Sequence, residues 1–287
     1  MTDLRIQHFY DEATGTLSYV VWDGSGSKAA VIDCVLGYSM RSGRTDRRQC
    51  DEILAFVRDQ NLSVDWILET HAHADHLSGA QVIREATGAP VAIGQGIRDV
   101  QAHFVPTFNL ADEVAVDGSQ FDHLFTDGET FSIGSLQCEV IGTPGHTDDS
   151  VSYRIGDDVF VGDSLFMPDF GTARCDFPGG DAGKLYASIQ RLLSLPDHTR
   201  LYMCHDYCPG GRELQYVCTV AEQRANNVHM GGGVTEAEFT RMRQGRDASL
   251  DLPALIVPAI QVNIRAGHLP TVEDNGTAYL KTPIDKL

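Results

Sequence analysis

The chain has 287 residues, 42% of them hydrophobic, and carries 40 acidic against 22 basic side chains for a formal net charge of −18. That length and composition allow one large core or two smaller ones, and no apolar run is long enough to span a bilayer. The acidity excludes a phosphate-reading nucleic-acid surface, which needs a basic face, and requires that any anionic substrate be met by local Arg or Lys.

Near the start, strand candidates at 17–22 and 29–33 flank the turn Asp23-Gly24-Ser25-Gly26 and read as antiparallel neighbours. Thr45 is placed to cap an amphipathic helix over 46–60, where Ile53, Leu54, Phe56 and Val57 fall on a helical period. A strand at 64–68 then delivers Glu69-Thr70-His71-Ala72-His73-Ala74-Asp75-His76, three imidazoles and a carboxylate within six residues. His and Asp hold zinc or iron, and alternate residues of an extended backbone point in different directions, so the run can feed one metal ion or two adjacent ones.

Ser78 is placed to cap a second helix through residue 86, closed by Gly88 and Pro90 before a short strand at 91–93. A turn-rich stretch leads to strands at 129–133, 136–141, 150–155 and 159–161, a helix at 182–193 and a further strand before His205. Three of these strand-like runs end in single donors. Val140-Ile141-Gly142-Thr143-Pro144-Gly145 precedes His146, Val159-Phe160-Val161-Gly162 precedes Asp163, and Leu201-Tyr202-Met203-Cys204 precedes His205. Loops at strand ends gather at one edge of a sheet, so His71, His73, Asp75, His76, His146, Asp163 and His205 are expected to form one site.

The two successive halves, each with strands first and helices after, predict an α/β protein built as a four-layer αββα sandwich. Residues 1–210 read as the catalytic domain. Residues 211–287 read as a C-terminal helical extension packed on it, with helices at 213–230 and 236–243, the second opened by the capping box Thr235-x-x-Glu238. The seven Cys, an odd number, suit reduced thiols. Cys175, in a Gly- and Pro-flanked loop, is the candidate reactive thiol. The first residues show neither a basic and apolar leader nor an acid-poor transit composition, which makes the cytoplasm the expected compartment.

The seven donors, in this order and each after a strand, resemble the ligand set of the metallo-β-lactamase superfamily. Thr70-His71-Ala72-His73-Ala74-Asp75-His76, Gly142-Thr143-Pro144-Gly145-His146-Thr147, Cys204-His205-Asp206-Tyr207 and the tail 258–267 together resemble the persulfide dioxygenases within it. That resemblance spans nearly the whole chain. It implies a non-haem enzyme that oxidises glutathione persulfide with O2 and water to sulfite and glutathione, using one Fe(II) per chain held by His71, His146 and Asp163.

A 2-His-1-carboxylate face leaves three positions open on octahedral iron, enough for a persulfide sulfur and O2 side by side. His73, Asp75, His76 and His205 would then orient the ligands or move protons. The same seven residues also suit two metal ions, two Zn or a mixed Fe/Zn pair bridged by Asp163, in a thioester hydrolase of the glyoxalase II type. The segment Asp169-Phe170-Gly171-Thr172-Ala173-Arg174-Cys175-Asp176-Phe177 looks more like the dioxygenases, yet departs from their usual Gly-Arg-Thr-Asp-Phe.

Glutathione persulfide carries carboxylates and a sulfur anion, which Arg pairs with best. Arg174, Tyr207, Arg212 and Arg265 are the substrate-binding candidates, with Lys184 a weaker one. Neither nucleic acid nor membrane is expected as a partner, and a homodimer or higher homo-oligomer is.

Overall fold

A computed structural model describes residues 3–24 and 26–286; Ser25 of the expected turn lies outside the described residues. The chain runs through β1 (Leu4–Asp11), β2 (Thr16–Asp23), β3 (Lys28–Ile32), β4 (Val35–Ser39), β5 (Arg44–Asp46), α1 (Arg48–Asp59), β6 (Ser63–Leu68) and β7 (Leu77–Ser78). It continues with α2 (Ala80–Thr87), β8 (Val91–Gly94), α3 (Ile97–Thr107), β9 (His123–Phe125), β10 (Thr130–Ile133), β11 (Leu136–Gly142), β12 (Val151–Ile155) and β13 (Asp158–Phe160). The last elements are α4 (Ala182–Leu193), β14 (Arg200–Tyr202), β15 (Val217–Thr219), α5 (Val220–Asn226), α6 (Glu236–Asp247) and α7 (Ile256–Asn263).

Two six-stranded sheets, ordered β1-β2-β3-β6-β8-β9 and β10-β11-β12-β13-β14-β15, form the inner layers. Between them lies a core that includes Leu17, Tyr19, Ile32, Leu68, Phe125, Ile133, Val140, Tyr153 and Phe160. The outer face of the first sheet is covered by Ile53 and Val57 of α1, Ile83 of α2, Val100 and Phe104 of α3 and Ile260 of α7. Leu185, Ile189 and Leu192 of α4, Val220 of α5 and Phe239 of α6 cover the second. These are the four layers of an αββα sandwich, and the buried strand faces explain the nearly continuous apolar runs of β2, β3 and β8.

Strand direction decides where the donors go. β13 and β14 pair in parallel, while β12 runs antiparallel to both β11 and β13. The C-terminal ends of β11, β13 and β14 therefore share one edge, and the residues that follow them are the loops carrying His146, Asp163 and His205.

The helix expected over 213–230 is instead β15 followed by α5. Val217 and Cys218 pair with β14, and only then does the Thr219 capping box with Glu222 start a helix. α1 begins later than Thr45 suggests: its N-cap is Arg47, which makes no side-chain cap, and the Asp46 carboxylate accepts the Arg48 N–H at 3.0 Å. α3 occupies part of the turn-rich stretch, and α7 forms in the Pro-marked tail. Pro258 is tolerated there because it falls in the first turn, where N–H groups have no helical partner. Among the described residues no helix is long and apolar enough to cross a membrane.

Candidate metal centre

The loop after β6 is pinned by buried side chains. Asp33, just past β3, accepts the Thr70 N–H at 2.7 Å and the Thr70 hydroxyl at 2.9 Å, and lies 3.1 Å from His73 Nε2. Asp149 accepts the Ala72 N–H at 2.7 Å. Gly162, at φ +52°, lets the turn into Asp163 pack directly on this loop, since a Cβ there would lie 2.8 Å from the Thr70 hydroxyl oxygen. Gly145, before His146, is required in the same way, because a Cβ would meet the start of α4 at Leu185 N, 2.2 Å away.

The seven predicted donors converge in two groups. Ligand atoms of His71, His146 and Asp163 all lie within 4.8 Å of one another, as do those of His73, Asp75, His76 and His205. Asp163 faces both groups. Its Oδ2 is 3.7 Å from His146 Nε2 and 3.9 Å from His71 Nε2, while its Oδ1 is 3.4 Å from His205 Nε2. His205 Nε2 is also 3.2 Å from Asp75 Oδ2.

The far ring nitrogens are occupied. Nδ1 of His146 lies 2.6 Å from the Arg174 carbonyl, that of His71 3.0 Å from the Thr70 hydroxyl, and that of His76 3.2 Å from the Leu77 carbonyl. Such contacts fix the ring orientation and leave the other nitrogen for a metal. Nε2 of His71, His76 and His205, Nδ1 of His73, Oδ2 of Asp75 and Oδ1 of Asp163 are buried without a hydrogen-bond partner. Buried polar atoms are normally paired, so this concentration of orphaned acceptors in one place suits a cation.

Electrostatics agree. Burial, then the neighbouring imidazoles, push His71 and His73 well below the ordinary histidine value, leaving neutral rings with free lone pairs. Burial opposes charge on His205, but Asp163 and Asp75 outweigh it and raise that ring. For Asp75 the surrounding His205, His76 and His73 outweigh burial and hold the carboxyl at about 2.

A cavity of about 230 Å³ opens onto Asp75, His146 and Asp163, with Phe166, Phe170, Phe177 and Tyr207 in its wall. Tyr207 stacks on His205, ring centroids 5.6 Å apart and planes 4° from parallel. Arg174 also lines the cavity, but its guanidinium is committed to Asp176 through two 2.7 Å bonds and to the Asp251 carbonyl at 2.6 Å.

The other substrate candidates lie elsewhere. Arg212 clamps Asp169 and Asp206, Arg265 is buried with Nη1 3.2 Å from Glu113, and Lys184 pairs with Asp148. Cys175 is packed, with Sγ 3.5 Å from Asp247 Oδ2, and burial and that carboxylate push its thiol up to about 12.

Sequence reasoning missed Arg246 of α6, which lines the cavity and makes no side-chain hydrogen bond or ion pair among the described residues. Nothing local in the sequence marks it. It also missed the anchors Asp33, Asp149 and Asn263. Asp33 alone had a signal, since it too directly follows an apolar strand.

Residues 12–205 match the family model of the metallo-beta-lactamase superfamily. The chain is 48% identical over 285 residues to glyoxylase B2 of Dictyostelium discoideum, covering 99% of this chain and 98% of that protein. To the mitochondrial persulfide dioxygenase ETHE1 of Bos taurus it is 26% identical over 265 residues, covering 91% and 88%. Among solved structures, ETHE1 from Myxococcus xanthus is similar with a TM-score of 0.74 and 32% identity, covering 92% of this chain and 100% of that one. With the matched span containing all seven donors, this chain belongs to the metallo-beta-lactamase superfamily and is an enzyme of that group.

Proposed function

We propose that the chain is a non-haem Fe(II) persulfide dioxygenase that converts glutathione persulfide, O2 and water into glutathione and sulfite. The observation that carries this reading is the compact 2-His-1-carboxylate group of His71, His146 and Asp163, with two of its members on the cavity wall. His73, the nearest third imidazole, belongs to the other group and holds its Nε2 against Asp33.

Iron bound by those three residues would supply open coordination positions and also electron exchange with O2, and redox-inert zinc cannot supply the latter. The chain's own residues do the rest. His146 is oriented through the Arg174 carbonyl, and the aromatic wall excludes water. Arg246, the unpaired cation of the wall, meets a substrate carboxylate. In this reading residues 1–210 are the catalytic domain and 211–287 an extension packed on it that supplies Arg246.

A second reading has a specific observation behind it. Asp163 offers its other oxygen to His205, and His73, Asp75, His76 and His205 form a second complete donor group, as a dinuclear thioester hydrolase of the glyoxalase II type requires. The similarity to glyoxylase B2 points the same way. Metal analysis of anaerobically purified protein, paired with an oxygen electrode, separates the two. One iron per chain and rapid O2 uptake on adding glutathione persulfide is the expected result. Two metal ions, no O2 uptake and hydrolysis of glutathione thioesters would give the site to the second reading.

A further inference from the structure

The last residue of α7, Asn263, is 5% exposed and spends its whole side-chain amide on the loop that carries four of the seven donors. Its Nδ2 donates to the His73 carbonyl at 2.7 Å and to the His76 carbonyl at 2.8 Å, and its Oδ1 accepts the Ser78 N–H at 2.8 Å. One planar group thus satisfies three buried backbone groups across residues 73–78. Holding two carbonyls three residues apart against a single nitrogen fixes the turn between them, and with it the directions in which Asp75 and His76 leave the chain.

α7 is itself braced. Ala259 and Val262 pack against Leu36 and Leu77, Gln101 Nε2 donates to the Ile264 carbonyl at 2.8 Å, and Gln81 Nε2 donates to the Ala266 carbonyl at 2.7 Å. The C-terminal helix is therefore a rigid stop against which the loop is seated.

We propose that Asn263 is a positioning residue for the metal centre: through it the C-terminal helix sets the geometry of the His73, Asp75 and His76 donors. This rests on the proposed metal centre, and on its second donor group also taking up a divalent ion when one is supplied in excess. It makes the C-terminal segment a working part of the centre, reached through backbone carbonyls and not through a ligating side chain. Positioning contacts of this kind typically change metal affinity about 10- to 100-fold when removed.

The test uses Co(II) as the probe, bound to full-length metal-free protein, with chelator competition and the visible Co(II) absorption as readouts. Co(II) is supplied in excess so that both donor groups can fill, and Asn263→Ser is expected to weaken the Co(II) held by His73, Asp75, His76 and His205 about 10- to 100-fold, with a change in absorption intensity, while the Co(II) at His71, His146 and Asp163 stays in place. Gln81→Ala removes another bond to the same segment without touching the loop, and is expected to move neither readout. If Asn263→Ser lowers the melting temperature yet binds Co(II) with wild-type affinity and spectrum, the proposal is wrong and the amide only packs. Should Asn263→Ser not fold, Asn263→Asp, which keeps the shape and the acceptor for Ser78, decides on the same readouts. Failure of the wild type to take up a second Co(II) would overturn the proposal at its premise, and failure to take up any Co(II) would overturn the metal reading itself; both results are distinct from an unchanged variant.

Discussion

The two donor groups that meet at Asp163 are built by different means. His71, His146 and Asp163 follow three separate strands, β6, β11 and β13, so each is held by its own strand of the sandwich. His73, Asp75 and His76 sit within four residues of one loop, and only His205 arrives on another strand. The first group therefore hangs on three strand ends, with His71 also pinned by the bonds of its neighbours Thr70 and Ala72 to Asp33 and Asp149. The second is as rigid as the clamps on its loop, namely Asp33, Asp149 and Asn263. A site assembled this way can keep one metal position fixed while the geometry of the other is adjusted through residues that never touch a metal.

The largest effect should come from the residue the groups share. Asp163→Ala is expected to lower activity by about three orders of magnitude, the scale of losing several kcal/mol of metal-derived stabilisation, and to strip the bound metal. Elemental analysis and steady-state turnover check this together. Full activity in the variant would remove Asp163 from the site and break the comparison outright.

Next comes a contrast between the groups. In the dioxygenase reading His71→Ala loses its iron, whereas His76→Ala keeps close to one iron per chain and most of its activity. In the dinuclear reading each variant loses one of two ions. Equal iron loss in the two variants would mean that the groups are not functionally separate, whatever their construction.

Much of this was legible in the sequence because the donors are local events. A His-rich run after an apolar strand, or one His or Asp after each later strand, needs only a strand end to bring it to the site, and strand direction then does the gathering. The αββα layering followed from the same strand and helix order. What the sequence concealed was long-range pairing. Asn263 is 190 residues from His73 and sits in a segment whose Pro258 reads as a helix breaker until the first turn absorbs it. Arg212 and Arg246 look alike in the sequence, yet one is clamped between Asp169 and Asp206 and the other lines the cavity unpaired. Which arginine is already occupied depends on carboxylates brought in by folding, and no local pattern encodes that.

The clamps themselves can be weighed by pH. Burial raises the Asp149 carboxyl from the ordinary 3.8 to about 6 while it holds the Ala72 N–H. Because the folded value lies above the unfolded one, this group favours the metal-free fold fully below about pH 4, and that contribution is lost as the pH rises through 6. At neutral pH the buried charge costs about 3 kcal/mol. Asp149→Asn keeps an acceptor for the same N–H without the charge. The metal-free variant should therefore melt close to wild type at pH 4 and above it at pH 7, as thermal denaturation at the two pH values would show. Parallel melting curves across that range would mean that Asp149 stays uncharged or is compensated, and is a weaker control on the loop than its hydrogen bond suggests.

The smallest effect concerns which group the substrate meets. The cavity touches the first group at His146, the second at Asp75 and both at Asp163, so in the dioxygenase reading the persulfide sulfur's position depends on where the rest of the substrate is pinned. Arg174 and Arg243 have their guanidinium groups engaged by Asp176 and Asp247, which leaves Arg246 to receive a carboxylate. A contact made equally in the ground and transition states changes KM and not kcat. Arg246→Ala is accordingly expected to raise KM for glutathione persulfide about tenfold at unchanged kcat, the scale of one partly solvated charge-assisted bond, with Arg246→Lys recovering part of the loss. A fall in kcat instead would mean that the anchor also sets the distance between sulfur and metal. An unchanged KM would remove Arg246 from substrate binding and leave the wall's unpaired cation without that role.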